Sequence, residues 1–359
     1  MNNELLYITS HQLPTKTAHS LQIFEMSDGF NSVTKFRLIS PFNKINCKKK
    51  TFYKWNKIKL IFNSGIFFKI EFCLKILSYI FYSESKNKII FTRNIEIAFL
   101  CLLFNSKFIF EIHQSPKFFG KLILKLISKR KNFFLISISN SLKNYLDKQY
   151  NFFNETLVNH DAVNINRYER LHKFEKKIIR QKLKLDLDKE YLLYTGSFYK
   201  GLSDEEIVEI LEKFKELNII CIGASKNEKR NLEKKINNKN LHILERLPKY
   251  KVIFYQIACD YLILPMKKKG PLWWCTSPLK LFEYMATKNL IISSDIGSIK
   301  EILNNKNCII YSKDVIRGLN NALKVKDNSF VDQAFQDVKK NYTWKIRAKN
   351  ILKKTNVLS

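Results

Sequence analysis

The sequence predicts an α/β protein built on parallel sheets, and three observations carry that expectation. Short apolar, β-rich runs alternate with longer helical patterns from one end of the chain to the other. The runs are continuously apolar rather than alternating, as strands buried on both faces are. The set also occurs twice, once in each half. In the first half the runs are Leu5 to Thr9, Val33 to Ile39, Lys88 to Thr92, Phe108 to His113, Phe133 to Ser137 and Thr156 to Asn159. In the second they are Tyr191 to Thr195, Ile219 to Gly223, His242 to Leu244, Tyr261 to Pro265, Leu290 to Ser293 and Cys308 to Tyr311.

At 359 residues the chain exceeds what one core serves, and domain sizes of roughly 100 to 200 residues make two domains the expectation. The pattern places them at 1–165 and 166–329. The charged stretch Arg167 to Lys189, with apolar residues at helical spacing, reads as a helix and linker at the start of the second. Residues 330–359 return to a helical pattern and are expected to pack back across the first domain.

Hydrophobic residues make up 45% of the chain and aromatics 13%, enough for packed cores and far from a disordered composition. Lys and Arg number 63 against 32 Asp and Glu, a net +31 that draws a protein toward nucleic acid, anionic lipid or phosphorylated substrates. An AT-rich genome also yields abundant Lys, Ile, Asn and Phe, so the total alone does not choose among these. The basic residues are spread along the whole chain with no recognisable nucleic-acid module, and no specific nucleic-acid partner is expected.

Seven scattered cysteines (Cys47, Cys73, Cys101, Cys221, Cys259, Cys275, Cys308) never form C-x-x-C, which points to a reducing compartment and away from a zinc ribbon. Met1 to Thr9 lacks the basic and apolar stretches of a signal peptide, so a cytoplasmic protein is expected. The most apolar segment, Ile58 to Tyr82, is interrupted by Lys69, Glu71 and Lys75. Those charges suit an amphipathic helix on a soluble domain rather than a membrane span.

The stretch from Ser277 to Ala286 (SPLKLFEYMA) is the most informative. Ser277 suits an N-cap and Pro278 the first helical position, so a helix is expected to start there. Its first-turn amides and Lys280 would form an anion site. Lys280 and Glu283 share a face, while Leu279, Phe282 and Met285 can face the core. Two readings stand on spacing alone: Lys280 holds a diphosphate and Glu283 a ribose, or the two form a surface ion pair. Asp186-Leu187-Asp188 reads as a polar loop ending a helix rather than a metal motif.

His113 closes the Phe108 to His113 run at its C-terminal end, where open α/β sheets place ligand groups, and Arg93 ends a neighbouring run. The loop His11 to Ser20 precedes a helix as a phosphate-facing loop does, but carries Ala18-His19-Ser20 where glycines are usual. Lys117 to Lys131 sets Phe118, Phe119, Leu122, Ile123, Leu126 and Ile127 among Lys117, Lys121, Lys125, Lys129, Arg130 and Lys131. Such a helix either lies on anionic lipid or packs on the core with a solvated basic face.

The run SPLKLFEYMATKNLIISSDIGSIKEIL resembles the donor-site segment of glycosyltransferase family 4, also described as glycosyl transferases group 1. The segments LLYITSHQLPTKTAHSLQIFEM, FTRN, FEIHQSP, ISISNSLKNYL, LLYTGSFYKG, ACDYLILP and YTWKIRAKNIL resemble the same family in the right order, so the likeness spans most of the chain. It implies the GT-B architecture: two facing Rossmann-like domains, an acceptor-side one and a nucleotide-sugar donor one, with a C-terminal helix packing back on the first.

It further implies a hexosyltransferase-like, retaining, metal-independent enzyme with no cofactor beyond its UDP- or GDP-linked sugar. The acceptor would be a glycan or lipid-linked molecule of bacterial surface polysaccharide synthesis (capsule, lipopolysaccharide or O-antigen), reached from the inner membrane face. By the same resemblance Glu283 binds the donor ribose, and Gly196, Ser197, Ser277, Pro278, Leu279 and Lys280 surround the donor. His113, Lys200 and Lys280 are at the chemistry, and Arg93 and His19 meet the acceptor. Cys275 stands where the family has its first glutamate and Ser197 where an arginine is usual, so those two roles do not transfer. A nucleotide-sugar epimerase would share the fold, and a basic nucleic-acid-binding protein would share the charge.

Overall fold

The computed structural model describes residues 4–15, 17–43, 51–81, 88–196, 201–268 and 272–355. The chain forms two compact units, one of residues 1–161 with 344–359, the other of residues 162–343.

In the first unit the order is β1 (Glu4–Ile8), α1 (Ala18–Asn31), β2 (Phe36–Pro41), β3 (Lys54–Ile58), α2 (Gly65–Phe81), β4 (Lys88–Thr92), α3 (Ile95–Leu103), β5 (Phe108–Ile112), α4 (Phe118–Ile127), β6 (Phe133–Ser137), α5 (Asn140–Gln149) and β7 (Leu157–Val158). Among the described residues the strands form a seven-stranded parallel sheet, β3-β2-β1-β4-β5-β6-β7. Helices after β1 and between the strands from β3 to β7 let parallel neighbours pair and cover the faces, so strands such as β1 and β5 are buried along their whole length. The strand β3 has no counterpart among the runs expected from sequence. Its residues KWNKI are half polar because it lies at the sheet edge and is partly exposed. The expected run Val33 to Ile39 starts late, at Phe36, because Val33 and Thr34 donate back to Phe30 and close the end of α1.

The second unit runs α6 (Ile165–Leu171), α7 (Lys176–Leu183), β8 (Glu190–Thr195), α8 (Asp204–Lys213), β9 (Leu217–Ala224), α9 (Lys226–Lys235), β10 (Leu241–Glu245), α10 (Lys249–Ala258), β11 (Tyr261–Leu264), α11 (Leu279–Met285), β12 (Leu290–Ser294), β13 (Ile309–Tyr311), α12 (Val315–Leu323) and α13 (Ser329–Asn341). Its described strands form a six-stranded parallel sheet, β10-β9-β8-β11-β12-β13. Reciprocal Ser/Glu capping boxes open α8 (Ser203, Glu206) and α9 (Ser225, Glu228), each satisfying two backbone donors.

The helical segment expected as one crossing, 330–359, is divided. Helix α13 buries Ala334, Phe335 and Val338 within the second unit, and Val163 bridges to Thr343 there. The chain rejoins the first unit only with α14 (Trp344–Lys354), whose Ala348, Ile351 and Leu352 are buried. Helix α1 receives α14 at Gly29. A Cβ there would lie 2.5 Å from the Trp344 carbonyl oxygen, so the approach admits no side chain. The boundary before the second unit falls after Asp161 rather than at 165.

Candidate functional site

Open parallel sheets collect ligand groups outside the carboxyl ends of their strands, where the strand order reverses. In the second unit that point lies at β8 beside β11. Strand β8 ends in Thr195-Gly196, and Gly196 takes φ 135°. The end of β9 packs directly on it: a Cβ on Gly223 would come 2.5 Å from the Gly196 carbonyl oxygen.

Helix α11 is stapled to this strand end by Tyr284. The fully buried Tyr284 hydroxyl accepts from the Thr195 amide at 3.0 Å and bonds the Thr195 hydroxyl at 2.9 Å. One helical turn earlier, the Lys280 ammonium lies over the Tyr194 ring at 4.8 Å and donates to the Thr195 carbonyl at 3.3 Å. Burial pulls the Lys280 pKa down to about 8, against the opposing pull of the Glu283 charge. A lysine so placed gains from an incoming anion.

Glu283 does not pair with Lys280. Its Oε1 is ion-paired with Lys249 at the start of α10, and its Oε2 accepts from the Gln256 side chain at 3.1 Å. The helix also starts one residue later than the sequence pattern implied. Pro278, with ψ 127°, is the cap. The buried residues of α11 are Leu281, Phe282, Tyr284 and Met285, so Leu281 rather than Leu279 faces the core. A helix of seven residues sums few peptide dipoles, so the charge at this position comes chiefly from Lys280. Cys275 is buried, and desolvation lifts its thiol to about 11, so it carries no charge where a carboxylate was expected. Ser197 and Lys200 lie outside the described residues.

In the first unit the order reverses at β1 beside β4. The loops after β1, β4 and β5 contribute His11, Arg93 and His113 to a cavity of about 620 Å³, also lined by Ser10, His19 and Glu111. His113 follows the last residue of β5. Its Nε2 meets Glu111 Oε1 at 2.6 Å, and the Arg347 guanidinium reaches Glu111 Oε2 at 2.7 Å. Arg93 stands 3.6 Å from Glu111 and donates to Gln22 at 2.8 Å. Burial alone would raise the Glu111 pKa, but Arg347, His113 and Arg93 together hold it well below the usual carboxylate range. Burial and Arg93 lower the His113 pKa despite Glu111, so its imidazole is neutral near pH 7. His19, in the first turn of α1, is exposed and tilts against His11 with ring centroids 4.4 Å apart.

Sequence reasoning put His113 and Arg93 at strand ends and Lys280 and Glu283 on one helix, and each pair occupies those positions within its own unit. It missed Glu111 and Arg347, the most buried ion pair among the described residues, and Gln256 and Lys249, which hold Glu283. A carboxylate inside the fully buried strand FIFEI was a legible signal for Glu111, because an unpaired charge there would be prohibitive. Nothing local marked the others. Asp186 to Asp188 is the polar loop anticipated: Asp186 accepts from the Asp188 amide just past α7. Among the described residues no group of three or more His, Cys, Asp or Glu is arranged to hold a metal ion, and no helix is long and apolar enough to cross a membrane.

Two open parallel sheets, each presenting polar groups at its switch point, give the chain the GT-B fold of the solved structures it resembles. Three solved structures illustrate the likeness. A glycosyltransferase from Rickettsia africae is 15% identical with a TM-score of 0.75, covering 100% of this chain and 99% of that one. The sucrose-phosphate synthase of Thermosynechococcus elongatus is 13% identical with a TM-score of 0.74, covering 99% of each chain. The Anabaena protein HepE, solved in complex with UDP-glucose, is 11% identical with a TM-score of 0.69, covering 98% and 99%. None of the curated proteins matches the sequence. Residues 189–325 match the family model described as Glycosyl transferases group 1.

Proposed function

We propose that the protein transfers a sugar, with retention of configuration and without a metal, from a UDP- or GDP-linked donor to a glycan or lipid-linked acceptor of bacterial surface polysaccharide. The observation that carries this reading is Lys280 set against the end of β8, with Glu283 one turn further along the same helix, inside the segment that matches the family. A desolvated lysine beside a glycine-paved strand end suits a diphosphate, and the carboxylate on the next turn of the same helix suits ribose hydroxyls. HepE, a relative in fold, binds UDP-glucose.

In this reading Lys280, with Lys200 by resemblance, compensates the charge that grows on the departing diphosphate, which is the largest electrostatic demand of glycosyl transfer. His113, neutral and held by Glu111, contacts the transferred sugar, and Arg93 and His19 meet the acceptor. The test is calorimetric titration with UDP, GDP and a DNA duplex. Tight, salt-insensitive binding of one nucleotide supports the enzyme. Binding of DNA alone, weakening steeply with salt, supports a nucleic-acid protein instead.

A lipid-linked acceptor is favoured by the face around α4, for which we infer contact with the anionic cytoplasmic leaflet. Helix α4 buries Gly120, Ile123, Leu124 and Ile127, yet leaves Phe118 at 90% exposure, with Phe119, Leu122 and Leu126 also exposed among Lys117, Lys121 and Lys125. Apolar side chains standing in water between lysines match a headgroup boundary.

A further inference from the structure

The carboxylate of Glu283 is held from beneath by a chain of buried polar groups. Gln256, on α10 and fully buried, donates its side-chain amide to Glu283 Oε2 at 3.1 Å. Its side-chain oxygen accepts from the hydroxyl of Tyr168 at 2.9 Å, and Tyr168, on α6, is itself buried. The backbone carbonyl of Gln256 accepts from the Asn289 side chain at 2.7 Å, which fixes the helix at this point.

The direction of each link is determined by chemistry. An ionised carboxylate only accepts, so the NH2 of Gln256 must face Glu283 and its oxygen must face Tyr168, whose O–H then donates. These two polar residues sit in a core of Leu281, Tyr284, Ile253 and Ile257, where burying an amide and a hydroxyl is costly unless each is bonded. An apolar pair would fill the same space without that demand. What the polar pair adds is a preset carboxylate: with Oε2 anchored by Gln256 and Oε1 by Lys249, Glu283 keeps one orientation before any ligand arrives.

We propose that Gln256 and Tyr168 are positioning residues for ribose recognition, holding Glu283 so that hydroxyls of the donor nucleoside meet lone pairs already aimed at them. Preorganisation removes the ordering cost that a free glutamate would incur on binding. The proposal rests on the donor-site reading above and adds to it the two residues that make the ribose contact effective. Neither touches the nucleotide.

The experiment compares UDP and GDP with the corresponding dideoxynucleoside diphosphates by calorimetry, in wild type, Gln256→Met and Tyr168→Phe. Gln256→Met keeps the length of the side chain and removes the amide, while Tyr168→Phe removes one oxygen and keeps the ring. Wild type prefers the ribonucleotide. Gln256→Met loses about tenfold of that preference, the effect of one hydrogen bond to a charged group, and Tyr168→Phe a smaller part, while affinity for the dideoxy forms stays constant.

A merely structural role would weaken ribo and dideoxy forms alike and would overturn the proposal, as would an unchanged preference in both variants. Should Gln256→Met not fold, Tyr168→Phe carries the same test. Wild-type protein that binds neither UDP nor GDP overturns the donor-site reading itself. Wild type that binds one of them without preferring ribose overturns the role of Glu283 and this proposal together.

Discussion

Replacing Lys280 by Met is the most direct probe of the donor site, because the structure gives both its size and its pH dependence. Among the described residues the ammonium donates once, to the Thr195 carbonyl, leaving further N–H groups for an anion. Charge-assisted bonds to a diphosphate contribute about 1.5 to 3 kcal/mol, so Lys280→Met should weaken nucleoside diphosphate binding roughly 10- to 150-fold. With a pKa of about 8, the fraction of wild-type protein carrying the charge falls from about nine-tenths at pH 7 to about one-tenth at pH 9. Wild-type affinity should therefore drop about tenfold across that range, while the variant changes little, since the diphosphate is already mostly ionised at pH 7 and gains only slightly more charge above it.

Folding responds with the opposite sign. The unfolded chain keeps the Lys280 proton up to its ordinary 10.5, whereas the folded one releases it near 8, so ligand-free stability rises with pH between those values. Calorimetric titration at several pH values, with urea unfolding alongside, reads both effects. Parallel pH profiles for wild type and Lys280→Met, or equal affinities at about pH 7, would refute the placement of Lys280 against the diphosphate.

Four further outcomes are expected. Glu283→Gln keeps the shape but removes the charge that the proposed site turns to ribose hydroxyls, and should lower both ribonucleotide affinity and donor turnover roughly tenfold; wild-type values in both assays would sever the resemblance from the donor site. Arg347→Met takes from the buried Glu111 carboxylate its closest guanidinium and leaves only His113 and Arg93 beside it, so urea denaturation should show a loss of about 3 kcal/mol, whereas a loss under 1 kcal/mol would mean those two suffice to hold it. Tyr284→Phe leaves the Thr195 amide without its acceptor, costing about 1 to 3 kcal/mol in the same assay and loosening the nucleotide site; an unchanged midpoint and affinity would count against the staple. Charge reversal at Lys121, Lys125 and Lys129 should abolish co-sedimentation with anionic vesicles and leave nucleotide affinity intact, because α4 belongs to the other unit; wild-type protein that ignores such vesicles at low salt would end the membrane reading.

The sequence by itself determined the α/β class and most strand positions, because a strand buried on both faces must be apolar throughout. Lys88 to Thr92 and Phe133 to Ser137 are strands with the expected bounds. It also placed His113, Arg93 and Lys280 at the ends of strands or in the first turn of a helix, since element ends are written in local residue types. The edge strand β3 escaped because exposure removes the need for apolar residues.

Partnerships between side chains distant in sequence were decided by the tertiary structure alone. Glu283 and Lys280 lie three positions apart on one helix, and local spacing offered them to each other. Folding instead brings Lys249 and Gln256 of α10 against Glu283, and the Thr195 carbonyl of β8 against Lys280. Arg347 reaches Glu111 across 236 positions, a meeting possible only because the chain leaves the first unit at Asp161 and returns at Trp344. Helical and strand periodicities act over a few residues, whereas a buried charge is neutralised by whatever the fold carries to it, and that depends on the whole path of the chain.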